Sequence, residues 1–190
     1  MQRLAQRGIE VLSTREPGGA KGADEIRKLL LTGAPDRWDA MSEALLMVAA
    51  RRCHLVESML PALAAGKWVV CDRFADSTFA YQGYGGGVSL DQLAALHRMI
   101  AGDLEPDLTI LLDVPVEIGL ARAARRQGQE KRFESKEREF HERVRRGFLE
   151  IAKAAPGRCV VLDATADAQH VQSAISDAVR TRLGLAALPS

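Results

Sequence analysis

Cysteine is scarce in this chain: Cys53, Cys71 and Cys159 are odd in number and widely spaced. There is no Cys-x-x-Cys pair and no histidine at ligand spacing. That excludes a disulfide framework and a zinc site, and the three read as reduced, partly buried thiols. An excess of one charge is lacking too. Lys plus Arg (26) nearly balances Asp plus Glu (25), so no bulk field argues for a nucleic-acid or membrane partner. Any anionic ligand must be held by local arginines. No apolar stretch is long enough for a membrane span, and residues 1–8 have no apolar core of a secretory signal. Repeats, linkers and low-complexity tracts are absent as well. A soluble, cytoplasmic protein is the expectation.

What is present suits one globular domain: 190 residues, 47% apolar and 27% charged. Residues around Leu4, closed by Gly8, read as the end of a helix with a glycine cap. Residues 9–13 read as a short strand that runs into Thr14-Arg15-Glu16-Pro17-Gly18-Gly19, a turn rich in breakers. Ile26, Leu29 and Leu30 mark a helical stripe. After a polar break at residues 36–39, a long helix is predicted over 42–65, bent before Pro61. Three further apolar runs, 68–71, 108–112 and 159–162, read as strands buried on both faces, the habit of parallel sheets covered by helices. Each ends in an acidic residue: Asp72, Asp113 or Asp163. Helices are predicted over 90–100, 116–126, 138–154 and 168–183. Residues 83–87 (Gly-Tyr-Gly-Gly-Gly) read as a mobile loop, and 186–190 as a frayed tail.

Strand and helix alternate throughout, which predicts an α/β fold with a parallel sheet and right-handed crossovers. Polar residues collect just past the strand ends, where open α/β sheets bind ligands. Taken alone, the turn at 14–19 is as well explained by backbone geometry, and Arg51 and Arg52 by a solvated helix face. The Asp72-Arg73 pair is harder to dismiss, because an unpaired charge at a buried strand end is costly. Arg122, Arg125 and Arg126 share a helix face and lead into a polar segment at 127–134 that includes Arg132. For these a charged surface and a closing lid are both open readings. His54, His97, His141 and His170 are scattered and carry no functional assignment.

Read together, T-R-E-P-G-G, A-A-R, D-R-F-x-x-S-T-x-A-Y-Q-G, P-D-L-T-I-L-L-D-V-P, an arginine-rich segment and D-A-T resemble bacterial thymidylate kinases, over about residues 1 to 183. The resemblance implies a single kinase domain over 1–190 with a lid at 127–134 and a parallel sheet of order 2-3-1-4-5. It implies transfer of the γ-phosphoryl group of ATP to dTMP, with Mg²⁺, giving dTDP and ADP in a homodimer. Other implied partners are none: no nucleic acid and no membrane. Arginine forks suit such phosphates, and the protein's work is positioning and charge neutralisation. On this resemblance Arg73 holds the acceptor phosphate and stabilises the transition state, with Arg15 on the same side. Asp72 and Glu16 orient these arginines or a magnesium-bound water, and neither is assigned as a general base. Arg51 would bond a thymine edge, Ser77 and Thr78 would face the pyrimidine, and Gln82 would be a further substrate-binding residue. Tyr81 would close on the sugar where a ribose hydroxyl would sit. Met47 stands where relatives stack a Phe, Gly86 where they often carry an arginine, and Lys131 where they often carry an Asp. Arg122, Arg125, Arg126 and Arg132 are the donor-side arginines, with Arg125 and Arg126 candidates for the catalytic pair.

The phosphate loop of such enzymes, Gly-x-x-x-x-Gly-Lys-[Ser/Thr], occurs nowhere in the sequence. The family's opening strand, loop and most of a helix amount to about 20 residues. The expectation is a fold short of its central strand and no kinase turnover by residues 1–190 alone. Either the true start lies upstream of Met1, or the chain is a relic without its ATP site. The intact acceptor residues favour the first. Another nucleotide or deoxynucleoside kinase of this architecture is the alternative within the same class.

Overall fold

The computed structural model describes residues 2–125, 132–133 and 136–185. The β-forming runs become two parallel pairs. Val11–Arg15 (β1) lies beside Trp68–Asp72 (β2), with Val11 opposite Trp68 and Arg15 opposite Asp72. Thr109–Asp113 (β3) lies beside Cys159–Asp163 (β4), with Asp113 opposite Asp163. Among the described residues no ladder joins β2 to β3. The runs predicted burial on both faces, but Val70, Leu112 and Val161 are 40%, 45% and 46% exposed. In the first pair the exposed Ser13, Arg15, Val70 and Asp72 share one face, whereas in the second Leu112 and Val161 lie on opposite faces.

The helices are Gln2–Ala5 (α1), Lys21–Leu31 (α2), Ala40–His54 (α3), Leu60–Ala64 (α4), Ala75–Thr78 (α5), Leu90–Ala101 (α6), Val116–Ala124 (α7), Arg138–Ala154 (α8) and Ala168–Arg182 (α9). Their ends follow local chemistry. The turn after α1 closes on Gly8, at φ +71°, whose N–H reaches the carbonyl of Ala5. Asp39 caps α3 by accepting from the N–H groups of Met41 and Ser42, and Asp167 caps α9 in the same way.

The single helix predicted over 42–65 is instead α3, a π-helical turn at Leu55–Met59, and α4. Leu60 N–H bonds to the carbonyl of Leu55, five residues back. The widened turn lies just ahead of Pro61, which has no N–H to offer the carbonyl of Glu57. The glycine-rich loop is corrected more sharply. Phe79–Gly85 forms a second π segment that continues α5, and Gly83 and Gly85 are buried in it. A Cβ on Gly85 would lie 2.7 Å from Val144 and 2.8 Å from Phe140, so its bare backbone allows α8 to press close. Around that contact Ala80, Phe140 and Val144 form a core with Tyr81, Phe133, Phe148 and Ile151. The expected lid residues 127–131 and 134, and the expected tail 186–190, lie outside the described residues.

Candidate functional site

The parallel register puts the ends of β1 and β2 together. Arg15 and Asp72 are cross-strand partners, both exposed, and Glu16 N–H bonds to the carbonyl of Asp72 at 3.0 Å. They border an open cleft of about 430 Å³ with Ser13, Thr14, Gly19 and Asp24. A carboxylate oxygen of Asp24, which the motifs did not single out, lies 3.3 Å from Gly19 N–H.

Arg73 follows at φ +70°, the one residue other than glycine with positive φ among those described. A left-handed arginine is unfavourable by about 1 kcal/mol, and such outliers gather at functional positions. Its guanidinium lies over the Tyr81 ring, 5.2 Å from the centroid. Tyr81 itself meets Phe133, Phe140 and Phe148 edge-on, with centroids 5.6, 6.1 and 6.1 Å away.

Behind this edge runs a buried polar network. On α3 the positions Glu43, Met47 and Arg51 recur every four residues and share one buried face. Arg51, 1% exposed, donates through Nε to Glu16 Oε2 at 2.7 Å and through Nη2 to Thr78 Oγ1 at 2.9 Å. The second oxygen of Glu16 faces His54 Nδ1 at 3.1 Å, and His54 Nε2 faces Thr14 Oγ1 at 2.7 Å. A solvated Arg51 is thereby excluded, and the arginine that Glu16 holds is Arg51 rather than the expected Arg15 or Arg73. Both oxygens of Glu16 are engaged, so it does not suit a metal-bound water. Asp72 keeps an exposed carboxylate in the cleft. Among the described residues no group of three or more His, Cys, Asp or Glu could itself hold a metal ion.

Ser77 and Thr78 are buried at the end of α5. Gln82 is also buried, and its amide nitrogen donates to Glu43 Oε2 at 3.0 Å. Its amide oxygen is buried with no partner among the described residues. Met47 is buried one turn from Arg51.

The expected donor-side arginines are spread out. Arg132 is not on a charged surface: it is 3% exposed and donates to the carbonyls of Leu30, Ala34, Pro35 and Trp38 and to Glu43. Glu43 also receives Lys136 at 3.2 Å. Arg122 donates to the carbonyls of Ala164 and Thr165, in the turn after β4. Arg125 is exposed at the end of α7, and Arg126 and Lys131 lie outside the described residues.

Cys71 and Asp113, at the ends of β2 and β3, are among the groups with perturbed protonation. Burial pushes the Cys71 thiol up to about 12, with Glu16 and Asp72 adding to it and Arg51 opposing. The Arg145 guanidinium, bonded to both oxygens of Asp113 at 2.8 Å, holds that carboxyl below its usual range. The network members that sequence reasoning missed were Thr14, Glu43, His54 and Lys136. Glu43 was findable, because it lies at helical spacing from Met47 and Arg51.

An α/β scaffold with arginines and carboxylates at the carboxyl ends of parallel strands is the arrangement of nucleotide-binding enzymes. Comparison with known proteins narrows the class. The family model for thymidylate kinase matches residues 1–175. The chain is 54% identical over 183 residues to a thymidylate kinase of Caulobacter vibrioides, covering 96% of this chain and 88% of that one. It is 52% identical over 185 residues to one of Rhodopseudomonas palustris, with 96% and 80% covered. Among solved structures, thymidylate kinase from Ehrlichia chaffeensis superposes with a TM-score of 0.71 at 34% identity, over 90% of this chain and 81% of that one. The chain belongs to the thymidylate kinase family, a family of nucleoside monophosphate kinases.

Proposed function

We propose that this chain carries the acceptor half of a dTMP-phosphorylating site, in which ATP and Mg²⁺ serve as donor and counter-charge and dTDP and ADP are the products. The reading rests above all on the cleft at the ends of β1 and β2. Arg15 and Asp72 stand side by side there, with Arg73 next in the chain. Arg15 and Arg73 receive the 5′-phosphate of dTMP, and an oxygen of that phosphate attacks the γ-phosphorus as ADP leaves. Catalysis in this chemistry is alignment of two phosphates and neutralisation of their charge. Asp72 holds Arg15 or a water on Mg²⁺. Arg51, fixed by Glu16 and Thr78, addresses the thymine edge, with Met47 over the ring and Ser77 and Gln82 beside it. Tyr81 sits against the deoxyribose. Arg125 and Arg126 serve the donor side, whereas the bonds made by Arg122 and Arg132 favour a scaffold role for both.

The donor's phosphate loop is not encoded in these residues, and the pairs β1–β2 and β3–β4 are read as the outer halves of a 2-3-1-4-5 sheet. The lack of a ladder between β2 and β3 among the described residues supports that reading. Leu45, Val56, Leu60 and Leu63, each at least 40% exposed on the stretch from α3 to α4, support a homodimer interface. No described helix is long and apolar enough to cross a membrane, and the cytoplasm is the proposed location.

Calorimetric titration with dTMP, dUMP and ribose-containing TMP tests the acceptor assignment. dTMP is expected to bind most tightly. Equal affinities for all three would overturn it.

A further inference from the structure

His54, like the other histidines, carried no functional assignment in the sequence, yet it is 0% exposed. Its two ring nitrogens join side chains from two ends of one turn. Nδ1 faces Glu16 and Nε2 faces Thr14, while the backbone of Gly19 lies against the ring. A Cβ on Gly19 would come within 2.6 Å of His54 Nε2 and 2.3 Å of Thr14 Oγ1, so the turn closes directly over this pair. Ser58 Oγ adds a bond to the Gly19 carbonyl at 2.6 Å.

The donor logic constrains Nδ1. An ionised carboxylate only accepts, so Nδ1 must carry a proton towards Glu16. The Thr14 hydroxyl can donate or accept, so it partners Nε2 whichever state that nitrogen takes. Glu16 is thus held at one oxygen by His54 and at the other by Arg51. Without the histidine, one buried carboxylate oxygen loses its donor, and the carboxylate that aims Arg51 gains freedom to rotate.

We propose that His54 is a positioning residue of the acceptor site, one that locks the Glu16 carboxylate and through it the Arg51 guanidinium. The proposal rests on the reading of Arg51 as the group addressing the base, and the experiment separates the two. Titrations with dTMP and with 2-deoxyribose 5-phosphate, which has no base, are run on the wild-type protein, His54→Leu, His54→Asn, His54→Gln, Arg51→Met and the Arg51→Met/His54→Leu double variant.

His54→Leu is expected to weaken dTMP about tenfold, the usual worth of one hydrogen bond to a charged group. The base-free ligand should change less than about twofold on the same scale. His54→Asn, whose amide N–H stands near the place of Nδ1, should restore most of the loss, and His54→Gln should restore less. In the double variant the two losses should not add, because they act in one chain.

If Arg51→Met leaves dTMP binding unchanged, the base-site reading fails whatever His54 does. If Arg51→Met weakens dTMP while His54→Leu does not, or weakens both ligands alike, the positioning role fails. Should His54→Leu not fold, the order of the Asn and Gln variants decides: Gln equal to or better than Asn would overturn the proposal. Nitrogen-15 spectra of the wild-type ring provide an independent check. A proton on Nδ1 is expected, and one on Nε2 alone would overturn the scheme.

Discussion

Asp76 and Arg158 form a two-pronged pair, with both guanidinium Nη atoms 2.7 Å from the two carboxylate oxygens. Asp76 sits on α5, just after β2, and Arg158 immediately precedes β4. The pair therefore ties one strand pair to the other across a boundary that no backbone ladder spans among the described residues. Thr109 joins it, accepting from Arg158 at 3.0 Å. Arg158→Ala is expected to destabilise the protein by about 2 kcal/mol, the scale for a charge-assisted pair with restricted solvent access. Removing both partners should cost less than the sum of the single losses. Urea melts of the two single variants and the double variant check this.

Arg73 separates stability from activity. Glycine suits a φ of +70°, so Arg73→Gly is expected to stay within about 1 kcal/mol of the parent in stability, about 2–4 °C in melting temperature. Turnover in an active enzyme carrying this chain should fall about ten- to hundredfold, as for loss of a phosphate contact. Arg52→Ala is the control. Arg52 is exposed and donates to the carbonyl of Ile100, away from the cleft, and its removal should be nearly silent. Comparable turnover for the Arg73 and Arg52 variants would displace the acceptor phosphate from Arg73.

The Asp113–Arg145 pair predicts a dependence on acid. The carboxyl's pKa is lowered in the folded state by Arg145, so the unfolded chain binds its proton first as pH falls. The pair's contribution is complete above the ordinary carboxylate value of about 4 and is lost as pH drops through the lowered value. Arg145→Met should therefore lower the melting temperature at pH 7 and converge on the wild type in strong acid. A gap that stays constant with pH would assign the effect to packing instead.

Cys71 should behave as an inert thiol. With its pKa pushed to about 12, almost no thiolate exists at pH 8. Peptide mapping after iodoacetamide treatment is expected to find Cys71 unmodified in the folded protein and modified once it is unfolded. Ready alkylation at pH 8 in the folded state would contradict the half-buried, acidic surroundings of this thiol.

The strands were legible because a short, continuous apolar run that ends in charge suits little but a strand in a helix-covered sheet. Trp68–Asp72 and Cys159–Asp163 each extend one residue beyond their expected end. The Asp72-Arg73 pair was legible for the same reason. The π segments were not, since a five-residue hydrogen-bond step leaves no trace in a 3.6-residue pattern. Gly83 and Gly85 read as a loop because glycine marks turns in sequence, whereas here it allows two backbones to approach. Arg132 and His54 were undervalued for a common cause. Their partners lie far off in sequence, and a lone charged or aromatic side chain carries no sign of whom it will meet.

Arg132 reaches the carbonyl of Leu30 across 102 positions, and its other contacts close the connection between α2 and α3. A ribosome delivering this chain exposes those carbonyls long before it delivers the guanidinium that satisfies them. At about 5–20 residues per second, the wait is at least about five seconds. Until then the carbonyls lack the guanidinium, although Ala34 already accepts from the Arg37 N–H, and Glu43 remains without its principal cation. The seam between α2 and α3 is accordingly a late-closing one. Nascent chains stalled before Arg132 emerges should be open to proteolysis at residues 30–38, and those stalled well past α8 should be protected there.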